Sequence, residues 1–200
     1  MEASRVKGIR VAGIILGVMA LLLIGLLVLG FLLPSGWSVE RSTTVEAQSE
    51  EIFPLLSSAR AWTLWTPSPE TGFEYFGPHE GEGSGRSWDD DLYGEGTFVI
   101  TAVDSPREVR YEVEVEGGSI RIAGHMTLGP ADDRRTRVTW REDGDFGWNP
   151  LLGYLARRME DLQGSQLEQS LEALNRLVTE REPLDADEAD EPSTGSPGSS

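Results

Sequence analysis

The chain has 200 residues, which leaves room for one globular domain with attachments. Its 17 Lys and Arg are outnumbered by 34 Asp and Glu, and the resulting net charge of -17 argues against a surface that binds nucleic-acid phosphates. Cysteine is absent, and histidine occurs only at His79 and His125, which excludes thiolate chemistry and argues against a histidine metal site. We therefore expect no metal and no other cofactor.

Residues 11–33 contain no charged and no strongly polar side chain. A helix of this length spans about 34 Å, and the hydrocarbon core of a bilayer is ~30 Å thick. We predict a transmembrane helix over residues 11–33. A cleaved signal peptide is the alternative, although its apolar stretch is typically only ~7–15 residues long. Gly13 and Gly17 form a GxxxG pair, which would allow a weak homodimer through this helix.

Basic residues near the two ends of this segment predict its orientation. Arg5, Lys7 and Arg10 precede it, whereas only Arg41 follows it closely. By the positive-inside rule, residues 1–10 are cytoplasmic and the rest of the chain is extracytoplasmic. The sequence therefore predicts a single-pass membrane protein.

The remaining residues divide into a domain and a tail. Residues 37–181 form the domain, which is long enough to bury a substantial core. Residues 183–200 contain five acidic residues, no basic residue and one large apolar side chain, Leu184. Such a segment cannot bury enough apolar surface to offset its ordering entropy, so we predict a disordered acidic tail over residues 182–200.

Hydrophobic patterning predicts the elements of the domain in chain order. A strand over about residues 37–46 is followed by two short helices, the second over residues 59–65 and stopped by Pro67. From residue 72 to residue 142, apolar and polar side chains alternate with a period of two. This alternation indicates about six antiparallel strands with one wet face and one covered face.

A long amphipathic helix over about residues 150–181 closes the domain, and we expect Gly164 and Ser165 to interrupt and bend it. The elements together predict an α+β fold. In this fold a curved antiparallel sheet of about seven strands wraps on the C-terminal helix, and one transmembrane helix precedes it. A helix in the hollow of such a sheet often leaves a cavity between the two.

Few residues suit a catalytic or metal site. His125 shares a face with Arg121 and Thr127, which turns it toward water, and His79 lies in a loop rich in glycine and proline. The three aspartates at residues 89–91 are expected at a charged hairpin tip, because the spacing of calcium ligands is missing. We assign no catalytic residue and no metal ligand.

Aromatic residues are more informative, since the chain has six Trp. Large rigid apolar side chains suit a pocket for a flat or greasy ligand, and ordinary core packing is the alternative. With the apolar side chains expected on the inward face of the sheet and on the closing helix, they give twelve candidates for the lining of a ligand cavity. These are Trp62, Trp65, Tyr75, Trp88, Phe98, Tyr111, Val113, Ile122, Met126, Trp140, Leu155 and Met159.

Several short motifs occur in the order typical of one superfamily. They are an opening strand at residues 39–42, a helix start at 49–53, WTLWTP at 62–67, glycine-punctuated hairpins at 77–96, TRVTW at 136–140 and NPL at 149–151. In these motifs the chain resembles the SRPBCC, or START-like, superfamily, which includes the polyketide cyclase/dehydrase and lipid transport proteins. The resemblance covers about residues 37–180 and extends to members with a membrane anchor before the first strand.

The resemblance implies a helix-grip fold with a hydrophobic cavity between the sheet and the long helix. It does not imply one activity, because members bind lipids, sterols or polyketides, some cyclise them, and some regulate chaperone ATPases. We expect a membrane-anchored module that holds a lipid or another hydrophobic small molecule. The alternative is a polyketide-cyclase-like enzyme acting on an apolar substrate in the same cavity. That enzyme requires an inward titratable group, whereas the predicted inward positions are nearly all apolar. A third hypothesis is an interaction domain with a collapsed cavity that contacts another envelope protein.

Overall fold

The computed structural model describes residues 2–147, 149–156 and 158–188. The elements in chain order are α1 (Glu2–Leu32), β1 (Gly36–Val45), α2 (Ser49–Leu56), a 3-10 helix (Ala61–Leu64), β2 (Glu74–Phe76), β3 (Gly85–Asp90), β4 (Gly94–Asp104), β5 (Glu108–Val115), β6 (Ile120–Pro130), β7 (Thr136–Asp145), α3 (Leu152–Ala156) and α4 (Met159–Glu188). The seven strands form one antiparallel sheet in the order β1-β7-β6-β5-β4-β3-β2. The sheet and its C-terminal helix confirm the predicted α+β helix-grip fold.

Helix α1 contains the apolar segment Gly13–Leu32, which has a mean hydropathy of 3.0 and is almost entirely unburied. This segment is long and apolar enough to cross a membrane, and a signal sequence near the N-terminus would share both properties. Its end lies against α3, where the Tyr154 hydroxyl donates a hydrogen bond to the Leu26 carbonyl oxygen over 2.7 Å. A Cβ on Gly153 would lie 3.1 Å from the Gly30 carbonyl oxygen, so the two helices meet closely at small residues.

The inward face of the sheet has two halves that differ in burial. At the end of the sheet next to α1 lies the near half, where the apolar inward side chains of β3, β5 and β6 are only half-buried: Trp88, Val113, Val115, Ile120 and Ile122. At the opposite end lies the far half, where they are fully buried: Ile100, Val109, Tyr111, Met126, Leu128, Val138 and Trp140. The outward face carries charged side chains, as the alternation predicts.

The far half is covered from two directions. From one direction, α4 packs mainly on β1 and buries Leu167, Leu171, Leu174 and Val178. From the other, α2 and the segment after it bury Ile52, Leu55, Leu56, Trp62 and Trp65. These apolar layers close the core of the domain away from α1.

The predicted helix over residues 59–65 is a single 3-10 turn, Ala61–Leu64. The indole N–H of Trp62 donates to the Leu56 carbonyl oxygen over 2.7 Å, and that of Trp65 donates to the Leu55 carbonyl oxygen over 3.2 Å. Both bonds tie the segment back onto the C-terminal end of α2. The chain therefore turns tightly here instead of extending as a helix.

The closing helix differs from the prediction in the position of its interruption. The break lies between α3 and α4, because the two helices pack on different elements. Helix α3 contacts α1, whereas α4 packs along β1. Helix α4 continues through Gly164 and Ser165. A Cβ on Gly164 would lie 2.2 Å from Nη2 of Arg41, so the missing side chain makes room for the guanidinium. That guanidinium donates to Glu168 over 2.6 Å.

Helix α4 ends at Glu188, so the predicted start of the acidic tail at residue 182 falls within it. The rest of the predicted tail, residues 189–200, lies outside the described residues.

Candidate functional site

Five aromatic side chains pack together at the far half. The ring centroid of Trp62 lies 4.6 Å from that of Trp65, 4.7 Å from Phe98, 4.8 Å from Tyr111 and 5.5 Å from Trp140. None of the five is more than 4% exposed. Tilted and edge-on pairs at these distances attract one another beyond the area they bury. These five predicted cavity residues therefore contact one another as parts of one cluster.

A chain of hydrogen bonds crosses the sheet beneath α4. The indole N–H of Trp140 donates to the Tyr111 hydroxyl oxygen over 2.7 Å, and the Tyr111 hydroxyl donates to Oε1 of Glu142. The amide of Gln163 donates to Oε2 of Glu142 over 2.7 Å. Burial raises the pKa of the Glu142 carboxyl, although both hydrogen bonds oppose that shift. Burial also raises the pKa of Tyr111 well above its usual value, which keeps the phenol a neutral donor.

Arg86 is a cation buried on the same inward face, one strand from the edge of the sheet. It pairs in the register with Tyr75 of β2 and Phe98 of β4, and only 7% of it is exposed. Its guanidinium carbon lies 4.3 Å from the Phe73 ring centroid and 5.0 Å from that of Phe98. Burial lowers the pKa of Arg86 to about 10, so the side chain stays cationic at neutral pH.

The near half offers apolar surface beside this cation. In the register, Val113 and Ile122 are directly opposite each other and continue the row that begins with Arg86 and Phe98. Two apolar side chains of the helices at this end are also accessible, Leu155 at 37% and Leu162 at 56%. The arrangement suits contact with an apolar molecule, since half-exposed apolar side chains gain free energy when further area leaves water.

The structure separates the twelve predicted cavity residues into three groups. Six belong to the buried core: Trp62, Trp65, Phe98, Tyr111, Met126 and Trp140. Four are half-buried near α1 or at the start of α4: Trp88, Val113, Ile122 and Met159. Two lie at the margins: Tyr75, whose ring has the Arg60 guanidinium carbon 4.2 Å from its centroid, and Leu155 in α3. The part of all twelve residues in ligand binding stays a prediction.

Sequence reasoning missed the two charged side chains that are buried on the inward face among the described residues, Arg86 and Glu142. Both could have been found by extending the period of two by one more step. Arg86 precedes the inward Trp88 by two positions, and Glu142 follows the inward Trp140 by two positions. The expectation that the inward face is nearly all apolar is corrected by these two residues.

The other candidate groups lie on the outside of the domain. His125 faces outward with Nε2 3.3 Å from a Glu108 carboxylate oxygen, and His79 is exposed in a loop. Asp90 stabilises the hairpin turn, because its Oδ1 accepts hydrogen bonds from the backbone N–H groups of Leu92 and Tyr93. Within the described residues, no group of three or more His, Asp and Glu side chains is placed to hold a metal ion.

Solved structures with the same fold share little sequence with this chain. A protein from Thermobifida fusca is 21% identical with a TM-score of 0.56, covering 70% of this chain and 92% of its own. Norcoclaurine synthase from Thalictrum flavum, in complex with dopamine and hydroxybenzaldehyde, is 14% identical with a TM-score of 0.56, covering 76% and 91%. A conserved protein from Geobacillus kaustophilus is 14% identical with a TM-score of 0.55, covering 72% and 95%.

At these identities the likeness shows the fold alone. A search of curated proteins finds no match. The family model described as polyketide cyclase / dehydrase and lipid transport matches residues 36–179, which is nearly the whole region predicted as the domain. The chain therefore belongs to the polyketide cyclase/dehydrase and lipid transport family.

Proposed function

We propose that the chain is a membrane-anchored module that holds a lipid or another hydrophobic small molecule against the near half of its sheet. The observation that carries this proposal is the partial exposure of inward apolar side chains there, Trp88, Val113 and Ile122 among them. The far half is covered by α4 and the aromatic cluster, so on the inward face the accessible apolar surface lies toward α1. Each 100 Å² of apolar surface that it covers would contribute about 2.5 kcal/mol.

The position of α3 supports a membrane as the source of this molecule. Because Tyr154 is bonded to the Leu26 carbonyl, α3 lies beside the last turns of the apolar helix α1. Leu151 and Leu155, 65% and 37% exposed, extend the apolar surface of α1 toward the near half. A groove of about 450 Å³ between α1 and the domain runs past Leu33 and Pro150. The groove and the exposed leucines would give a lipid tail apolar contacts between the end of α1 and the domain.

In this proposal residues 11–33 span the membrane, residues 1–10 are cytoplasmic and the domain of residues 37–181 is extracytoplasmic. The three basic residues ahead of α1 support this orientation. A weak homodimer through Gly13 and Gly17 is a further part of the proposal, because small residues four positions apart allow two spanning helices to approach closely.

The family description and one structural neighbour both support a small organic ligand. Lipid transport is part of the description of the family to which the chain belongs. Norcoclaurine synthase, which shares the fold, is solved in complex with two small aromatic molecules, dopamine and hydroxybenzaldehyde. The fold thus accommodates small organic guests in at least one of its members.

Two adjacent residues of β6 allow a matched test. Ile122 faces inward at the near half, and Ala123 faces outward in the next position. Native mass spectrometry of the full chain, exposed to a total lipid extract, should show a lipid-sized added mass on the wild type. Ile122→Trp fills the proposed site and should lose that mass, whereas Ala123→Trp should keep it. An added mass that is absent from the wild type, or retained equally by both variants, contradicts the proposal.

One observation favours the alternative, a polyketide-cyclase-like enzyme acting on an apolar substrate. Such an enzyme needs an inward group that can exchange a proton, and Glu142 is an inward carboxyl whose pKa is raised by burial. Both of its oxygens already accept hydrogen bonds, from Tyr111 and Gln163. Glu142→Gln should abolish turnover of a bound substrate if the enzyme hypothesis holds, and should leave binding unchanged if the chain only binds.

A further inference from the structure

Strand β3 presents unpaired hydrogen-bond donors to the near half. Nε and Nη1 of Arg86 are buried and have no hydrogen-bond partner among the described residues. The indole Nε1 of Trp88, two positions along the same strand and on the same face, is also buried without a partner. Buried donors are almost always paired in folded proteins, because an unpaired donor loses its hydrogen bonds to water and gains none in return. Two such side chains side by side point to an acceptor that comes from a ligand.

The charge of Arg86 is unbalanced as well. No ion pair within the described part of the chain includes it. Its guanidinium lies over the rings of Phe73 and Phe98, and it interacts electrostatically with the phenol groups of Tyr75 and Tyr111. Aromatic faces attract a cation but accept no strong hydrogen bond from its N–H groups. A buried cation without a carboxylate beside it is costly, and an anion would remove most of that cost.

We propose that the molecule held at the near half is amphipathic and ends in an anionic oxygen group, a carboxylate or a phosphate, which Arg86 and Trp88 bind. This inference rests on the proposed function. The fork of a guanidinium matches two oxygens of either group, and the indole N–H adds a third donor. The apolar part of the molecule lies across Val113 and Ile122. From β3 to β6 the sheet spans about 14 Å, which is close to the length of an extended chain of about twelve carbons.

The experiment compares three probes of equal chain length. Dodecanoate and dodecyl phosphate carry the anionic group, and dodecanol lacks it. Binding to the full chain in phosphatidylcholine nanodiscs is measured by equilibrium dialysis at neutral pH, with protein-free discs subtracted. We expect the wild type to bind at least one anionic probe roughly ten- to a hundredfold more tightly than dodecanol, the range for charge-assisted hydrogen bonds. The ratio between dodecanoate and dodecyl phosphate identifies the headgroup.

Arg86→Met should abolish the preference for the anionic probes, so that all three probes bind with similar affinity. Arg86→Lys, which keeps the charge but loses the fork, should retain part of the preference. Arg137→Met is the matched control, since Arg137 is exposed on the outward face of β7, and it should keep the wild-type preference in full. Urea unfolding is a second readout. If Arg86 has only a structural role, Arg86→Met should lower the urea midpoint. If Arg86 binds the ligand, the midpoint without ligand should be unchanged or higher.

The outcomes separate the two proposals. Equal binding of all three probes to the wild type overturns the anionic ligand and leaves the hydrophobic binding module in place. Failure of all three probes to bind contradicts both. An anion preference that persists in Arg86→Met also overturns the inference, because the anion is then bound elsewhere.

Discussion

The two halves of the inward face belong to the same sheet. Yet, in the part of the chain that the structure describes, their polar side-chain groups are hydrogen-bonded in the far half and lack partners in the near half. In the far half the indole N–H groups of Trp62, Trp65 and Trp140 each donate a hydrogen bond within the protein. In the near half those of Trp37 and Trp88 are buried without a partner among the described residues. The described indole N–H groups are therefore hydrogen-bonded within the protein in the far half and unpaired in the near half.

Under the proposed function, the far half stabilises the fold and the near half binds the ligand. The far half pairs its polar groups and packs its rings, which is what a stable core requires. The near half keeps apolar side chains partly in water and holds a cation without a carboxylate, at a cost to stability. Such a cost is typical of sites where a ligand completes the interactions. The comparison thus predicts that substitutions in the two halves have different readouts.

The strongest test of this division replaces one tryptophan of each half by alanine and compares the two losses of stability. Trp62→Ala removes a ring that touches four others and leaves the Leu56 carbonyl unpaired, so we expect a loss of about 3–5 kcal/mol in the free energy of unfolding. Trp88→Ala removes a half-buried ring and should cost less than about half as much. Urea unfolding of the full chain in detergent, followed by circular dichroism, measures both. Equal losses would show that the two halves are one uniform core.

A second test uses the glycines on which aromatic rings lie. The three inward pairs are Trp88 on Gly96, Tyr111 on Gly124 and Trp37 on Gly144. A Cβ on Gly124 would lie 1.9 Å from Cζ of Tyr111, whose ring is held by the aromatic cluster. Gly124→Ala should therefore destabilise the fold by about 1–3 kcal/mol.

Gly129 provides the matched control on the same strand, because nothing lies within 4 Å of its added Cβ. Gly129→Ala should be neutral or slightly stabilising. In Gly96→Ala the new Cβ would lie 2.3 Å from the Trp88 ring, which is half-buried and free to shift, so a smaller loss than in Gly124→Ala is expected. Thermal unfolding ranks the three variants by stability. A larger loss of stability in Gly96→Ala than in Gly124→Ala would contradict the conclusion that the far half is the more rigid of the two.

The sequence predicted the architecture because its signals are local. Alternation with a period of two between residues 72 and 142 indicated the strands, and the apolar spacing after residue 150 indicated the closing helix. The break before α4 was placed wrongly, since it depends on the docking of Tyr154 onto α1, a contact between residues 128 positions apart. A glycine inside the helix was a misleading signal for an interruption, because α4 continues through Gly164, where the missing side chain makes room for Arg41.

The site was harder to predict than the fold for a related reason. Which aromatic rings pack on one another and which stay accessible depends on where α4 crosses the sheet, and that path is not encoded in any short motif. Arg86 and Glu142 had the correct phase to face inward, but charge is normally a signal for the outward face. A charged residue in the inward phase of a strand is therefore the feature to search for in related sequences.

The smallest expected effect concerns Glu142, which lies one row beyond Val113 and Ile122 in the register, in the row of Tyr111 at the margin of the far half. Its pKa is raised by burial, so the folded state binds a proton that the unfolded state releases. Below the pKa of the unfolded chain this group costs no stability. As the pH rises through the raised pKa, stability falls with a slope of at most about 1.4 kcal/mol per pH unit.

Glu142→Gln removes the charge and keeps the hydrogen bonds, provided that the Gln163 amide turns its oxygen toward the new side chain. The variant should match the wild type near pH 4 and exceed it in stability at pH 7.5. Asp143→Asn, on the outward face beside it, should behave with the opposite sign, because a hydrogen bond from Arg141 lowers the pKa of that carboxyl. Its loss of stability should appear at pH 7.5 and vanish in acid. The urea midpoint of each variant, measured across this pH range, tests both expectations. If the midpoints of the wild type and Glu142→Gln change with pH in parallel, Glu142 is solvated like the near half and is not part of the closed core.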